Sequence, residues 1–486
     1  MDLGRILLLG LCFWQFFGGS MASGNAFFKV EHKFKGEKRW LKELRAHDAR
    51  RHGTMLGSID LPLGGNALPS DAGLYFTKVQ LGNPASDYHV QVDTGSDILW
   101  INCAGCDKCP KRSGLGIKLN LYDPKGSSTA KFVTCDDTKC TMIYQRILEG
   151  CQSDVPCQYE VTYGDGSVTS GYFIQDTFHY DKVSGNLQTT TGNTSVVFGC
   201  GVKQSGQLSS DEAALDGIFG FGQANSSVIS QLGASGKTKK MFSHCLDSVN
   251  GGGIFAIGQL VEPKLSTTPM IPNQPHYSVV VKRMELGGDG LDISAYSSDG
   301  NDGPSAIIDS GTTLAYLPDG IYASIVNKIL AQQPDLELHT VEDQFKCFQY
   351  SGDLDSGFPK VVFHFEKSLS LTVYPHDYLF PFSDARDRKW CIGWMNSGFQ
   401  TKDGKDVTIL GDFVLANRLV FYDLENQAIG WTPYNCSSSI KLKDEQSGAT
   451  YTVGAHDISS ANSLISGGIL LWLFMLIIDL LITNYH

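Results

Sequence analysis

The chain has 486 residues, 42% of them hydrophobic, with 51 acidic against 39 basic side chains and a formal net charge of -12. That length suffices for two well-packed domains, and the acidic balance, with no basic stripe in the body of the chain, excludes a nucleic-acid reader. Fifty-three glycines and short runs rich in Val, Ile, Tyr, Phe and Thr, separated by turn residues, predict mostly β structure.

The chain begins like an exported protein. Arg5 precedes the apolar run Ile6 to Phe17, too short to span a bilayer, and Ser20-Met21-Ala22 offers small residues for cleavage, so residues 1–22 are expected to be a secretory leader cut after Ala22. Residues 23–70 reverse the charge of the rest. Lys29, Lys33, Lys35, Lys38, Arg39, Lys42, Arg45, Arg50 and Arg51 cluster there, and Trp40, Leu41 and Leu44 stand at helical spacing. On residues alone the segment fits either a solvated basic linker or a partly helical piece that docks on an acidic domain.

Next comes an apolar strand, Val90-Gln91-Val92, that ends on Asp93-Thr94-Gly95-Ser96, and the pattern returns as Ala306-Ile307-Ile308-Asp309-Ser310-Gly311-Thr312-Thr313. A lone Asp-Thr-Gly is only a turn; the repeat gives it meaning. In two copies of a half-domain these tips can face each other across a two-fold axis. Gly95 and Gly311 suit a tight loop where φ is positive or another backbone comes close. The hydroxyls of Thr94 and Ser310 can bond the opposite loop, and those of Ser96 and Thr312 can reach the carboxylates beside them. Two carboxylates about 3 Å apart at an effective dielectric near 20 repel by roughly 5 kcal/mol, so the pair shares one proton and can do acid and base work on a water.

Between the two Asp loops lie Trp100, the hairpin Tyr163-Gly164-Asp165-Gly166-Ser167, and Asp216-Gly217-Ile218-Phe219-Gly220. Helices are expected over Ser227 to Leu232 and Asp319 to Gln332, the second opening on an Asp cap and repeating Ile321, Tyr322, Ile325 and Ile329 on one face. Strands are expected at 277–281, 360–365 and 419–422, and Ile409-Leu410-Gly411-Asp412 lies before the last of these.

Thirteen cysteines include Cys12 in the leader. The rest form an even set: Cys103, Cys106, Cys109, Cys135, Cys140, Cys151, Cys157, Cys200, Cys245, Cys347, Cys391 and Cys436. In an oxidising compartment that count argues for six disulfides. Cys103, Cys106 and Cys109 also have the spacing of a zinc site, a reading the exported context disfavours, and no metal or other cofactor is expected. Connectivity does not follow from spacing. Asn193-Thr194-Ser195, Asn225-Ser226-Ser227 and Asn435-Cys436-Ser437 are acceptor triplets for N-glycans. After Cys436 a polar stretch leads to the apolar run Leu464 to Ile482, followed only by Thr483-Asn484-Tyr485-His486. A retained span would normally leave basic residues behind it, and Asp479 sits awkwardly inside one. Small residues at Ser459-Ser460-Ala461 or Ser447-Gly448-Ala449 fit instead a signal for a glycolipid (GPI) anchor, with Ser459, Ser460 and Ser447 as attachment candidates.

In these motifs and their order the chain, from about Tyr75 to Cys436, resembles the pepsin-type aspartic endopeptidases, nearest the plant nepenthesin-like branch. The resemblance implies a mostly β, bilobal fold with few short helices and a cleft between the lobes. It implies Asp93 and Asp309 as the catalytic acids, Tyr163 on a flap over the cleft, Trp100 bonded to that tyrosine, and the two apolar-apolar-Gly strands threaded beside the Asp loops. By the same analogy Cys347 pairs with Cys391 and Cys200 with Cys436. The second loop departs from the common pattern in carrying Ser310 for threonine, which keeps the hydroxyl.

The layout expected is therefore leader 1–22, propeptide 23–70 with maturation between Gly53 and Ser70, first lobe 71–268, second lobe 269–436, polar stalk 437–463 and apolar tail 464–486. The expected activity is acid-pH endopeptidase cleavage at the outer cell surface, by a lipid-anchored monomer whose partners are polypeptide substrates and its own inhibitory propeptide. The rival is an inactive binding or inhibitor relative, which would typically lack an active-site Asp or the flap tyrosine; both acids and Tyr163 are present. No Gly-x-Ser-x-Gly or His-Glu-x-x-His occurs to support serine or metal hydrolysis.

Overall fold

The computed structural model describes residues 26–32 and 75–455, apart from 147, 149, 164–166, 212–213, 298–302, 342–344, 384–387, 398–405 and 445–447. The expected leader, the helical spacing of Trp40, Leu41 and Leu44, the anchor candidates Ser447, Ser459 and Ser460, and the tail 464–486 lie outside these residues.

Strand Tyr75–Leu81 shows how the sequence builds the fold. Tyr75, Val79 and Leu81 enter the core on one face, while Lys78 and Gln80 on the other reach Asp87 at 2.8 and 2.7 Å. Repeated along the chain, such alternation gives a mostly β, two-lobed molecule whose described residues form sheets of 14, eight, four and three strands. The 14-stranded sheet is shared. It runs from Thr267–Pro269, Ala428–Pro433 and Arg418–Asp423 through Met241–Leu246 and Gly253–Ile257 into Ala26–His32, Tyr75–Leu81 and Ser86–Asp93, and on to Lys131–Phe132. The strands expected around 277–281, 360–365 and 419–422 are Ser278–Leu286, Val361–Phe365 and Arg418–Asp423.

The first expected helix is Val228–Ala234, with Ser227 as its N-cap accepting the Ser230 N–H. The second runs over Asp319–Gln332 and buries Ile321, Ile325, Val326 and Ile329. Its cap position is Pro318; Asp319 lies in the first turn and accepts a 2.7 Å hydrogen bond from Asn396 Nδ2.

All twelve cysteines are in disulfides. Cys347–Cys391 forms as the resemblance implied, because the two are register partners on neighbouring strands. The implied Cys200–Cys436 pair does not. Strand Leu99–Asp107 lies parallel to Gln188–Gln204, with Ile101 opposite Cys200, so Cys103 takes Cys200. Cys436 follows Ala428–Pro433, which pairs with Arg418–Asp423, the neighbour of Met241–Leu246, and it closes instead on Cys245, a sequence separation of 191. Cys106–Cys109, Cys135–Cys151 and Cys140–Cys157 complete the set, so the three closely spaced cysteines are spent in two disulfides.

Two terminal segments differ from expectation. Ala26–His32, in the basic segment, is a strand between Tyr75–Leu81 and Gly253–Ile257. Within the polar stalk expected over 437–463, Ser439–Lys443 and Thr450–Gly454 form a hairpin that extends Gln259–Glu262. Ile440, Leu442 and Val453 are buried there against Cys245, Ile254, Leu419 and Cys436. Asn193, Asn225 and Asn435 are all exposed.

Candidate active site

Each Asp loop is the end of a short buried strand. Val90 and Val92 bury Ser86–Asp93, which runs parallel to Gly217–Gly220 with Asp93 opposite Gly220; Ser305–Ile308 runs parallel to Thr408–Leu410 with Ile308 opposite Leu410. Both threading strands need glycine at the crossing. A Cβ on Gly220 would stand 2.5 Å from the Asp97 backbone, and one on Gly411 2.3 Å from the Leu314 carbonyl oxygen. Matching bonds follow, from the Gly222 N–H to the Ser96 carbonyl and from the Asp412 N–H to the Thr312 carbonyl, at 2.8 and 2.7 Å.

In the donors to their carboxylates the two loops then repeat each other. The Gly95 N–H donates to Asp93 Oδ1 at 2.8 Å and the Gly311 N–H to Asp309 Oδ1 at 2.9 Å. The Ser96 hydroxyl donates to Asp93 Oδ2, and that of Thr312 to Asp309 Oδ2 at 2.6 Å. Both carboxylates are fully buried. Neither Gly95 nor Gly311 adopts a positive φ; each serves by its backbone donor. The loops are tied together where the Ser310 N–H donates to Thr94 Oγ1 at 2.9 Å. Thr94 thus bonds the opposite loop as expected. The Ser310 hydroxyl does not: it is buried with no partner among the described residues, because its backbone N–H makes the link.

The strands on either side of the expected flap, Gln158–Thr162 and Val168–Gly185, pair antiparallel, closed by the Tyr163 N–H to the Ser167 carbonyl at 2.8 Å; residues 164–166 lie outside the described set. Trp100 Nε1 donates to the Tyr163 hydroxyl at 2.5 Å, and both side chains are buried beside Val133, Tyr159, Phe173 and Ile218.

Sequence reasoning missed the layer beneath the loops. Phe221, Phe242, Phe255, Tyr277 and Tyr422 pack there edge-on or stacked, Phe242 on Tyr422 at 4.4 Å. The Tyr277 hydroxyl donates to the Phe221 carbonyl at 2.6 Å. Burial pushes the Tyr422 hydroxyl well above the usual phenol range; a hydrogen bond with the Thr94 side chain opposes this, and the charges of Asp309 and Asp412 add to it. His244, 3.0 Å from that hydroxyl, is held at a pKa of about 3 by burial. One basic residue in the otherwise uncharged strand Met241–Leu246 was its trace in the sequence.

Family models described as xylanase inhibitor N-terminal and xylanase inhibitor C-terminal match residues 75–259 and 276–433, together more than half of the chain. The chain is 52% identical over 458 residues, 94% of each protein, to aspartic proteinase 36 of Arabidopsis thaliana, and 51% identical over 444 residues, 91% of each, to aspartic proteinase 39 of the same plant. Conglutin gamma from lupine seeds superposes with a TM-score of 0.60 at 16% identity, covering 84% of this chain and 95% of that one, a likeness of fold alone. With its paired Asp loops and these relatives, the chain belongs to the pepsin-like aspartic proteinase family of plants.

Proposed function

We propose that this protein is an endopeptidase that hydrolyses polypeptides at acid pH with a water activated between Asp93 and Asp309. The observation that carries the reading is the duplicated set of donors on the two buried carboxylates, joined by the Ser310 to Thr94 bond. At a working separation of about 3 Å the carboxylates would repel by roughly 5 kcal/mol if both ionised, so the pair carries one proton. The ionised member takes a proton from water and the protonated member polarises the scissile carbonyl. Water oxygen bonds to the carbonyl carbon, and the amine leaves with a proton returned by the pair. Tyr163, steadied by Trp100, closes over the substrate. The relatives named aspartic proteinases support a polypeptide substrate.

The test is cleavage of an unfolded protein at acid pH by wild type, Asp93→Asn and Asp309→Asn, with and without a statine-type inhibitor. Wild type alone should cleave, and the inhibitor should stop it. Equal activity in all three proteins would remove the mechanism, and inactivity in all three would favour a binding protein, the role that the family models' inhibitor names suggest.

The rest of the reading concerns the ends of the chain. The basic segment 23–70 acts as an inhibitory propeptide, with a lysine paired to the dyad until acid breaks the ion pair. Asn193, Asn225 and Asn435 carry glycans, which their exposure permits. The tail 464–486 is replaced by a glycolipid that holds the enzyme on the outer face of the plasma membrane. Failure of a phosphoinositide-specific phospholipase to release the protein from membranes would refute the anchor.

A further inference from the structure

The last described residue of the chain is Ala455, whose N–H donates to the Ser438 carbonyl at 3.0 Å. Two loops flank that point. On one side the turn after Val168–Gly185 docks on Thr450–Gly454: the Leu187 N–H donates to the Thr452 carbonyl at 2.8 Å, the Thr452 N–H donates to Asn186 Oδ1 at 2.9 Å, and Leu187 lies against Gly454. On the other side the loop after Met241–Leu246 reaches the residues that lead into the hairpin, where Asn250 Nδ2 donates to Ser437 Oγ at 3.2 Å. These loops carry Leu187, 63% exposed, and Val249, 81% exposed, the two most exposed large hydrophobic side chains among the described residues. The turn at Leu187 does not demand such a side chain, because its φ of 55° is a region that asparagine or glycine enters more readily than leucine.

The sequence beyond Ala455 supplies the occupant of this face. The apolar run begins at Leu464, and the chain between them can reach at most about 30 Å when fully extended. Attachment of a glycolipid at Ser459 or Ser460 shortens that reach to roughly 13–18 Å. The hairpin sets Ser447 aside: it precedes Thr450–Gly454, so cleavage there would remove a strand whose Val453 is buried. Whether the tail is exchanged for a lipid or kept, the membrane surface stands close to Leu187 and Val249.

We propose that the face around Ala455, with Leu187 and Val249 as its two apolar points, seats this protein on the bilayer that its tail engages. This rests on the reading of the tail as a membrane anchor. Both side chains are small enough to enter the boundary between head groups and acyl chains without disturbing the fold. Lys441 stands on the exposed side of the hairpin, between buried Ile440 and Leu442, and is paired with Glu262 at 2.6 Å; its long stem lets the amine stay among the phosphates.

The test uses the full chain, produced in eukaryotic cells so that its ends are processed, with one environment-sensitive fluorescent amino acid replacing Leu187, Val249 or Met142. The protein is reconstituted into phosphatidylcholine vesicles that contain a nitroxide-labelled phosphatidylcholine. Met142 is the control: it is exposed too, but its helix Thr138–Tyr144 packs through Tyr144 on Phe173, toward the other end of Val168–Gly185. Labels at 187 and 249 should be quenched by the lipid roughly threefold more than the label at 142. Equal quenching at all three positions, in protein that floats with the vesicles, would overturn the seat and leave the anchor standing. Labels at 187 and 249 that quench each other between molecules, and not with lipid, would give the face to a second copy and overturn the proposal as well. Protein that does not float would remove anchor and seat together. Protein that floats, resists phosphoinositide-specific phospholipase and shows the expected pattern would replace the glycolipid by a retained span and uphold the seat.

Discussion

Ser310 meets the opposite loop through its backbone N–H, and its hydroxyl makes no bond among the described residues. Thr94, by contrast, is the acceptor of that link. The two hydroxyls therefore differ in worth although the loops are near repeats. Ser310→Ala removes an unpaired group and should leave urea stability within about 0.5 kcal/mol and kcat/KM near wild type. Thr94→Val keeps the shape but strands the buried Ser310 N–H, which should cost about 1–3 kcal/mol and lower kcat/KM. The reverse order in unfolding midpoints and rates would show that the hydroxyls, not the backbone donor, join the loops.

At the scale of elements, the hairpin Ser439–Lys443 and Thr450–Gly454 belongs to the packed body of the protein rather than to a tether, since it extends Gln259–Glu262 and buries side chains against residues of both lobes. Leu442 is fully buried there, so Leu442→Ala should cost about 2–4 kcal/mol, read by urea unfolding, whereas a solvated stalk would lose almost nothing. This hairpin was illegible in the sequence because its alternation spans only Ile440 and Leu442 inside a polar stretch, and its partner strand Gln259–Glu262 is far away in the chain. The Asp loops were legible for the opposite reason: strand, acid, hydroxyl and glycine each meet a local demand, and the set occurs twice. The helix at Asp319–Gln332 was readable from its own periodicity. The partner of Cys200 was not, since it depends on which strand lies beside Gln188–Gln204. His244 and Tyr422 looked like ordinary strand residues, because their relation exists only across the pairing of Met241–Leu246 with Arg418–Asp423.

Over the whole molecule, one sheet runs from lobe to lobe and carries a buried histidine beneath the cleft. An unfolded histidine takes up a proton near pH 6.5, while His244 in the fold does so at about 3. Between these values the unfolded chain binds more protons, so stability falls as pH is lowered through that window, by up to about 1.4 kcal/mol per pH unit. His244→Phe, made in an Asp309→Asn background to prevent self-cleavage, should therefore lose roughly 2–3 kcal/mol less than its parent between pH 6.5 and 4.5. Parallel pH slopes would contradict a buried neutral ring. Above that layer, the central proposal is that Asp93 and Asp309 act as one unit. The most direct test is kcat/KM at acid pH for Asp93→Asn, Asp309→Asn and the two combined. Each single substitution should abolish nearly all turnover and the combination should be no worse than either; losses that are modest singly and multiply when combined would contradict a shared proton.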